Sequence, residues 1–478
     1  MSRGRACVSL ASLVHPADGA KVPPVNLPPQ RASAAAPSEG AAVLTGGSSA
    51  SARLLRAVGA CVLAVALVAV YARACAIGNG DFAAFWDVGR AALARGDIYA
   101  PGPTMGMYVF YPPHFSLVML PFGLLPRIAA GWAWFALKLG AMVLLVRWIA
   151  AVLEDAAPGM SGWRRAAAVA LPLVILVNPF NGDFKLGQVN VFVLCATVYA
   201  MVALERGRPW RAAVAFSLAL VKATPWVFVP WLLMRRQWGF LARLACVGAG
   251  WLAALAAWYG PGRVVLLVEE WLRVSRSVKM AIDSMAYFEN QSLVGVAARL
   301  AVAFPALQRR VLGVPLHELL WMAAGAALFA VLFAIVRRDR FRPALPATEF
   351  AYVCVVMMLF GPDTRWAHQV QVVVPLVIVT AISLRTGAIP WLSGASDAPS
   401  PGTPLQLRRI AQVVLAAGVV LLVLLARDVV GKPLDNALRD ARLHFAYLVV
   451  LAATLAAVLR RPEWLALSVE RLGAGARR

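Results

Sequence analysis

Hydrophobic residues in this chain come in long runs, and the charges between them come in clusters. The runs fall at about 54–72, 129–147, 164–178, 189–204, 210–222, 224–235, 240–258, 318–336, 348–361, 369–386, 410–427 and 443–460. Helical membrane spans need roughly 17–25 apolar residues to cross a hydrocarbon core of about 30 Å. The pattern predicts an all-α polytopic membrane protein with about twelve spans.

The arginines orient these spans. Clusters lie at Arg147, Arg164 and Arg165, at Arg206, Arg208 and Arg211, and at Arg235, Arg236 and Arg243. Others follow at Arg337, Arg338, Arg340 and Arg342, at Arg408 and Arg409, and at Arg460 and Arg461. Basic residues collect in cytoplasmic loops, so these clusters face inward and both termini lie inside. Two further apolar stretches, 112–126 and 293–305, are too short to cross, and the first carries Pro112, Pro113, Pro121 and Pro126. They are expected as re-entrant or surface elements on the outer side, where such backbone needs cover from protein or a water-filled cavity. The short runs 210–222 and 224–235 read as a recessed hairpin turning at "LVKATPW".

Composition sharpens the class. Of 478 residues, 61% are hydrophobic and 14% charged, and the mean hydropathy is +0.72. A soluble domain carries about 25% charged residues. The net charge of +23 belongs to the topology and not to a nucleic-acid partner. None of the six cysteines falls in a CxxC pair or a metal spacing, so neither a disulfide framework nor a bound zinc is expected. Residues 1–52 are rich in Ala, Ser, Pro and Gly and lack the apolar core of a signal peptide. They are expected as a disordered cytoplasmic tail, with 53–462 as the membrane domain and 463–478 as a second cytoplasmic tail.

The outer side then collects the polar residues of interest. In "NGDFAAFWDVGRAALARGDIY" an apolar stripe of Phe82, Phe85, Trp86, Gly89 and Leu93 marks an amphipathic helix. Asp81 reads either as its N-cap or as a general base at the water–lipid boundary. Asp87 is expected to pair with Arg90 on the solvent face, and Asp97 to turn the chain. Lys222 at the hairpin tip is either a lysine snorkelling to headgroups or a contact to a lipid phosphate. Lys185 and Arg365 admit the same phosphate role or plain surface charge. His368 is structural or catalytic. Gln188, Asn190, Asn290 and Gln291 can bond sugar hydroxyls or hold their own backbone. No nucleotide-binding loop is present. The spans hold essentially no mid-membrane carboxylate, which disfavours the alternative of a transporter or flippase for a lipid-linked sugar.

Taken in order, "DFAAFWDVGRAALARGDIY", "FYPPHF", "NPFNGDFKLGQVN", "LVKATPW", "NQS" and "RWAHQ" resemble glycosyltransferase family 87, bacterial membrane enzymes of the GT-C type. The resemblance runs from about residue 55 to 386. It implies a GT-C fold in the bacterial inner membrane. The implied reaction moves a hexose, with mannose the expected sugar, from a polyprenyl-phosphate donor to a lipid-linked or envelope glycan acceptor outside the cytoplasm. It implies Asp81 as catalytic base and places Tyr111, with Pro112 and Pro113, in the cavity wall. Gln188 and Asn190 match its GQVN, Lys222 its lysine before Thr-Pro, and Asn290 and Gln291 its NQ pair. His368 matches the first of two adjacent histidines, and here the second is Gln369. Displacement at the sugar carbon with one base predicts inversion. A monophosphate leaving group makes a metal dispensable, so no cofactor is expected beyond the lipid-linked co-substrate. The prolyl segment and the hairpin are expected to wall the groove for the donor's lipid tail.

Overall fold

The computed structural model describes residues 68–69, 80–104, 106–157, 160–279, 281–336, 347–385, 405–425 and 427–460. The tails 1–52 and 463–478, and nearly all of the expected first span at 54–72, lie outside the described residues.

The described chain is almost entirely helical. It begins with α1 (Asp81–Leu93), α2 (His114–Gly123), the long α3 (Arg127–Ala156), α4 (Gly162–Ile175), α5 (Val177–Leu186), α6 (Asn190–Glu205) and α7 (Pro209–Ala219). A 3-10 turn over Thr224–Val227 leads into α8 (Phe228–Met234), followed by α9 (Trp238–Tyr259), α10 (Pro261–Val274), α11 (Ile282–Ala286) and α12 (Leu293–Ala303). A two-residue hairpin pairs Arg310–Val311 with Val314–Pro315. Next come α13 (Leu316–Val336), α14 (Ala347–Phe360), a 3-10 segment Trp366–Val372 running into α15 (Val373–Arg385), and α16 (Leu405–Val419). The chain closes with α17 (Arg427–Val430), α18 (Lys432–Asp440) and α19 (Leu443–Arg460).

Each expected span within the described residues meets a helix, but the helices differ in length from a uniform set of crossings. Among the described residues, five are long and apolar enough to cross a membrane: α3, α9, α13, the Trp366–Arg385 segment and α19. The pair α4–α5, bent by 59°, makes a sixth when taken as one broken span. Others are shorter; the ten-residue α2 reaches only about 15 Å. Proline accounts for much of this shortening, since Pro209 starts α7, Pro225 sits in the 3-10 turn, and Pro172 lies just before the α4–α5 bend. The stretches expected as re-entrant elements form the short helices α2 and α12.

Burial sorts the spans. The Trp366–Arg385 segment is 94% buried over its apolar window, whereas α9 and α13 are 17% buried. A helix that is apolar all round belongs either inside a large protein or against lipid. The first case describes α14 and α15, where every residue of 348–359 and 373–384 is buried. The second describes α9 and α13. Around the central pair, α15 packs on α4 and α14 packs on α19, while α6 packs against α3 and α7. Glu349 ties α14 to α8: its carboxylate accepts from Trp231 Nε1 at 3.0 Å and Arg235 Nε at 2.7 Å, and also pairs with Arg235 Nη2.

The helix after the first expected span differs from its sequence reading in one respect. Its stripe docks onto α2, and Gly89 and Gly123 bring the two backbones together. Asp87 does not pair with Arg90 on a wet face. It is 5% exposed, and accepts from Thr104 N at 3.0 Å and Thr104 Oγ1 at 2.6 Å. A carboxylate turned inward needs such donors, and the loop after α1 supplies them. Asp97 turns the chain as expected, accepting the Tyr99 N–H at 2.8 Å.

Candidate active site

Asp81 is placed by two glycines. Gly80 is the N-cap of α1, and a Cβ there would sit 2.8 Å from the Leu186 carbonyl oxygen. Gly187 ends α5 in the left-handed region at φ +68, the conformation glycine adopts without strain. A Cβ on Gly187 would lie 2.6 Å from Phe82 Cβ. The start of α1 therefore interlocks with the end of α5. The turn delivers Gln188, whose Nε2 donates to Asp81 Oδ2. Asp81 is the first residue of the helix and not its cap.

A second group of charges meets this one from the other side of α5. Lys138 projects from within α3, and its ammonium lies 2.7 Å from Asp183 Oδ1 and 2.6 Å from the Asp183 carbonyl oxygen. Both side chains are fully buried. Lys222 also acts electrostatically on the Asp183 carboxylate. Lys222, half-buried in the turn after α7, donates to Asn190 Oδ1. Asp81 in turn acts electrostatically on Tyr111, Lys138 and Arg365. Segments far apart in sequence thus converge on one cluster holding the carboxylates of Asp81 and Asp183 and the ammonium groups of Lys138 and Lys222.

Lys138 and Asp183 were not singled out in the sequence. Asp183 sits in the second half of a bent span. A lone lysine inside a 30-residue apolar helix is the signal that marks this pair, because a cation there needs a counter-ion.

The remaining expected residues fall at different places. Tyr111 is half-buried, edge-on to Phe115 with ring centres 4.6 Å apart and tilted against Phe85 at 5.4 Å. Burial first, then the nearby Asp81 and Asp183, push its phenol well above the ordinary range, so it stays protonated. Asn290 and Gln291 are buried and spend their amides on the protein. Asn290 donates to Met285 O at 2.9 Å and Pro362 O at 3.0 Å, and accepts from Thr364 N at 3.0 Å. Gln291 donates to Phe288 O at 2.8 Å and Arg439 O at 3.0 Å. They bracket the loop that carries Arg365. Arg365 pairs with Asp363 at 3.1 Å and Glu289 at 3.9 Å, and lies over the Tyr287 ring. His368 Nδ1 accepts the Arg365 backbone N–H at 3.1 Å, which closes a capping box at the start of the 3-10 segment. Lys185 is exposed in the last turn of α5 and makes none of the cluster's hydrogen bonds or ion pairs.

Beside the cluster, an apolar groove of about 700 Å³ lies between α2, α3, α6 and α7. Val189 and Val221, adjacent in sequence to Gln188, Asn190 and Lys222, form its head. Phe115, Phe192 and Leu218 lie along it, and Trp148, Tyr199 and Trp210 stand at the far end of the same helices. Phe192 to Tyr199 on α6 alone covers about 10 Å of helix rise.

The fold and this cluster define a polytopic all-α membrane protein with a charged site at the head of a greasy groove. The family model of glycosyltransferase family 87 matches residues 108–362, just over half of the 478 residues, and the chain belongs to that family. Tyr111, Gln188, Asn190, Lys222, Asn290 and Gln291 fall within the matched stretch; Asp81, Arg365 and His368 flank it.

Among curated relatives, the chain is 27% identical over 343 residues to a polyprenol-phosphate-mannose-dependent alpha-(1-2)-phosphatidylinositol mannoside mannosyltransferase of Mycolicibacterium smegmatis. That match covers 67% of this chain and 73% of the relative. It is 26% identical over 346 residues to the protein of the same description in Mycobacterium tuberculosis, covering 67% of this chain and 74% of that one. A pentamannoside mannosyltransferase of Mycolicibacterium smegmatis matches at 30% over 156 residues, 31% of this chain and 36% of the relative. No solved structure matches the chain.

Proposed function

We propose that this glycosyltransferase moves a hexose, mannose by likeness to its relatives, from a polyprenyl-phosphate sugar to a lipid-linked or envelope glycan acceptor. The reaction takes place on the outer side of the bacterial inner membrane and inverts the sugar carbon. The observation that carries this reading is the Asp81 carboxylate, held by Gln188 within a cluster that also contains Lys222, at the head of an apolar groove. A phosphate at the cluster and a prenyl chain in the groove suit this arrangement of charge and grease.

In the proposed step the acceptor oxygen attacks the anomeric carbon while Asp81 takes its proton. The bond from that carbon to the phosphate oxygen breaks, and polyprenyl phosphate departs with its electron pair. Lys222 and Arg365 meet the charge that grows on the phosphate. Polyprenyl monophosphate leaves with less total charge than a diphosphate would, and the two side chains suffice without a metal ion. Tyr111, kept neutral, offers a hydrogen-bond donor to the sugar. His368 and Asn290 act by holding the loop of Arg365 in place.

The test is purified protein in lipid with a panel of labelled polyprenyl-phosphate sugars and a membrane-lipid extract. Wild type makes labelled glycolipid, and Asp81→Asn lowers the rate by about 10²–10⁴-fold without loss of folded protein. Chelator leaves the wild-type rate unchanged. Undiminished product from Asp81→Asn overturns the assignment of the base, whereas no labelled glycolipid from wild type with any donor overturns transfer itself and favours transport of the lipid.

A further inference from the structure

Trp134 belongs to the wall of the apolar groove, yet its indole N–H is spent elsewhere. It is 4% exposed, and its Nε1 donates to the Gly187 carbonyl oxygen at 2.9 Å. That carbonyl and the Gln188 N–H belong to one planar peptide unit. The N–H end donates to the Asp183 carbonyl oxygen at 3.0 Å, so both ends of the unit are bonded. The Asp183 oxygen is held in turn by the ammonium of Lys138 at 2.6 Å. Lys138 follows Trp134 by four residues on α3, and side chains so spaced share one face of a helix. One face of α3 therefore grips the peptide that carries Gln188.

The residue at the turn makes this grip matter. Gly187 stands at φ +68, and glycine adopts positive and negative φ about equally well. The residue itself does not keep the peptide from turning over. Gln188 begins just beyond, and its Nε2 donates to Asp81 Oδ2. A rotation of this peptide swings that amide away from the carboxylate. The indole also meets the other half of the pair. Its ring lies 5.6 Å from the ring of Phe82, the residue after Asp81, and 4.7 Å from the ring of Phe192 on α6. These rings fix the plane of the indole, and with it the direction of the N–H.

We propose that Trp134 is a positioning residue for the catalytic base: through the Gly187–Gln188 peptide it holds the amide that orients the Asp81 carboxylate. This rests on the reading of Asp81 as the base. Trp134 touches none of the reacting atoms and acts through Gln188.

The test compares Trp134→Phe, Gln188→Met and the double variant with wild type, as purified proteins in lipid. Turnover of labelled polyprenyl-phosphate mannose with a membrane-lipid extract is read as separate kcat and donor KM, and thermal unfolding checks the fold. Trp134→Phe removes the donor and keeps an aromatic groove wall. Each single variant is expected to lose about tenfold or more in kcat, with the donor KM within about threefold of wild type. The double variant should fall within about twofold of Gln188→Met, because residues that act as a unit are not additive. A raised donor KM with wild-type kcat in Trp134→Phe makes Trp134 a groove wall only and overturns the proposal. Losses that multiply in the double variant overturn it, and so does wild-type kcat in Gln188→Met. Where Trp134→Phe does not fold, benzothienylalanine in place of Trp134 decides, since it keeps the ring shape and has sulfur where the indole has N–H. The same loss in kcat is expected there, and wild-type kcat overturns the proposal. Wild-type turnover by Asp81→Asn overturns the base reading beneath it, a result distinct from the others.

Discussion

Asp81 and His368 both sit at helix starts, where the sequence leaves a structural and a chemical reading of each. Their capping differs in the structure. Gly80 is the cap of α1, and the Asp81 carboxylate is turned to Gln188. His368 is itself half of a capping box, with its Nδ1 on the Arg365 N–H. A neutral ring that accepts at Nδ1 carries its proton on Nε2. The capping role makes a checkable contrast. In His368→Asn the side-chain oxygen can accept the same N–H, and stability should stay near wild type. His368→Leu should lose about 1 kcal/mol in denaturant unfolding. If His368→Asn unfolds as easily as His368→Leu, the box does not hold the segment. Lys138 gives a sharper contrast. Lys138→Met alone leaves Asp183 as an uncompensated buried charge, at a cost of about 3–5 kcal/mol, which Asp183→Leu in the same chain should recover. Equal unfolding of single and double variants would show that Asp183 finds another partner.

At the scale of elements, the helix order was legible because the apolar runs record it directly. The lengths were not, because a run marks apolar residues and not where proline or glycine breaks the backbone. The α4–α5 bend is one case: the sequence reading ended that span at 178, while the chain turns at Leu176 and continues as α5 to Leu186. That continuation carries Asp183 and explains why it escaped notice. The same helix shows how tightly the site is built. A Cβ on Gly182 would overlap the benzo edge of the Trp366 indole, so α5 and the 3-10 segment touch only because position 182 is glycine. Gly182→Ala should therefore push Trp366 or the backbone beside Asp183 aside, and cut both thermal stability and transfer. Trp366→Phe removes the overlapping atoms and should restore much of the stability in the double variant. A Gly182→Ala protein that unfolds and turns over like wild type would show that the indole moves freely.

For the whole molecule, the arginine clusters led the sequence reading to one grouping: Asp81, Tyr111, Gln188, Asn190, Lys222, Asn290 and His368 on a common face. The structure brings these segments into contact through Gln188 to Asp81, Lys222 to Asn190, and Asn190 to the Ala367 carbonyl. Mutual contact says that they share a level in the membrane, while the identity of that face rests on the charge rule alone. Cysteine labelling in intact cells decides it. In a background lacking the six native cysteines, Leu312→Cys is suited as a probe because Leu312 is 97% exposed at the tip of the hairpin before α13. Arg206, exposed between α6 and α7, probes the opposite end of α6 from Asn190. A membrane-impermeant maleimide should label Leu312→Cys in intact cells and Arg206→Cys only after permeabilisation. The reverse pattern would put the charged cluster in the cytoplasm, where a lipid-linked sugar donor on the outer leaflet could not reach it. Labelling of both in intact cells would mean that α6 and the spans around it do not cross as the arginines imply.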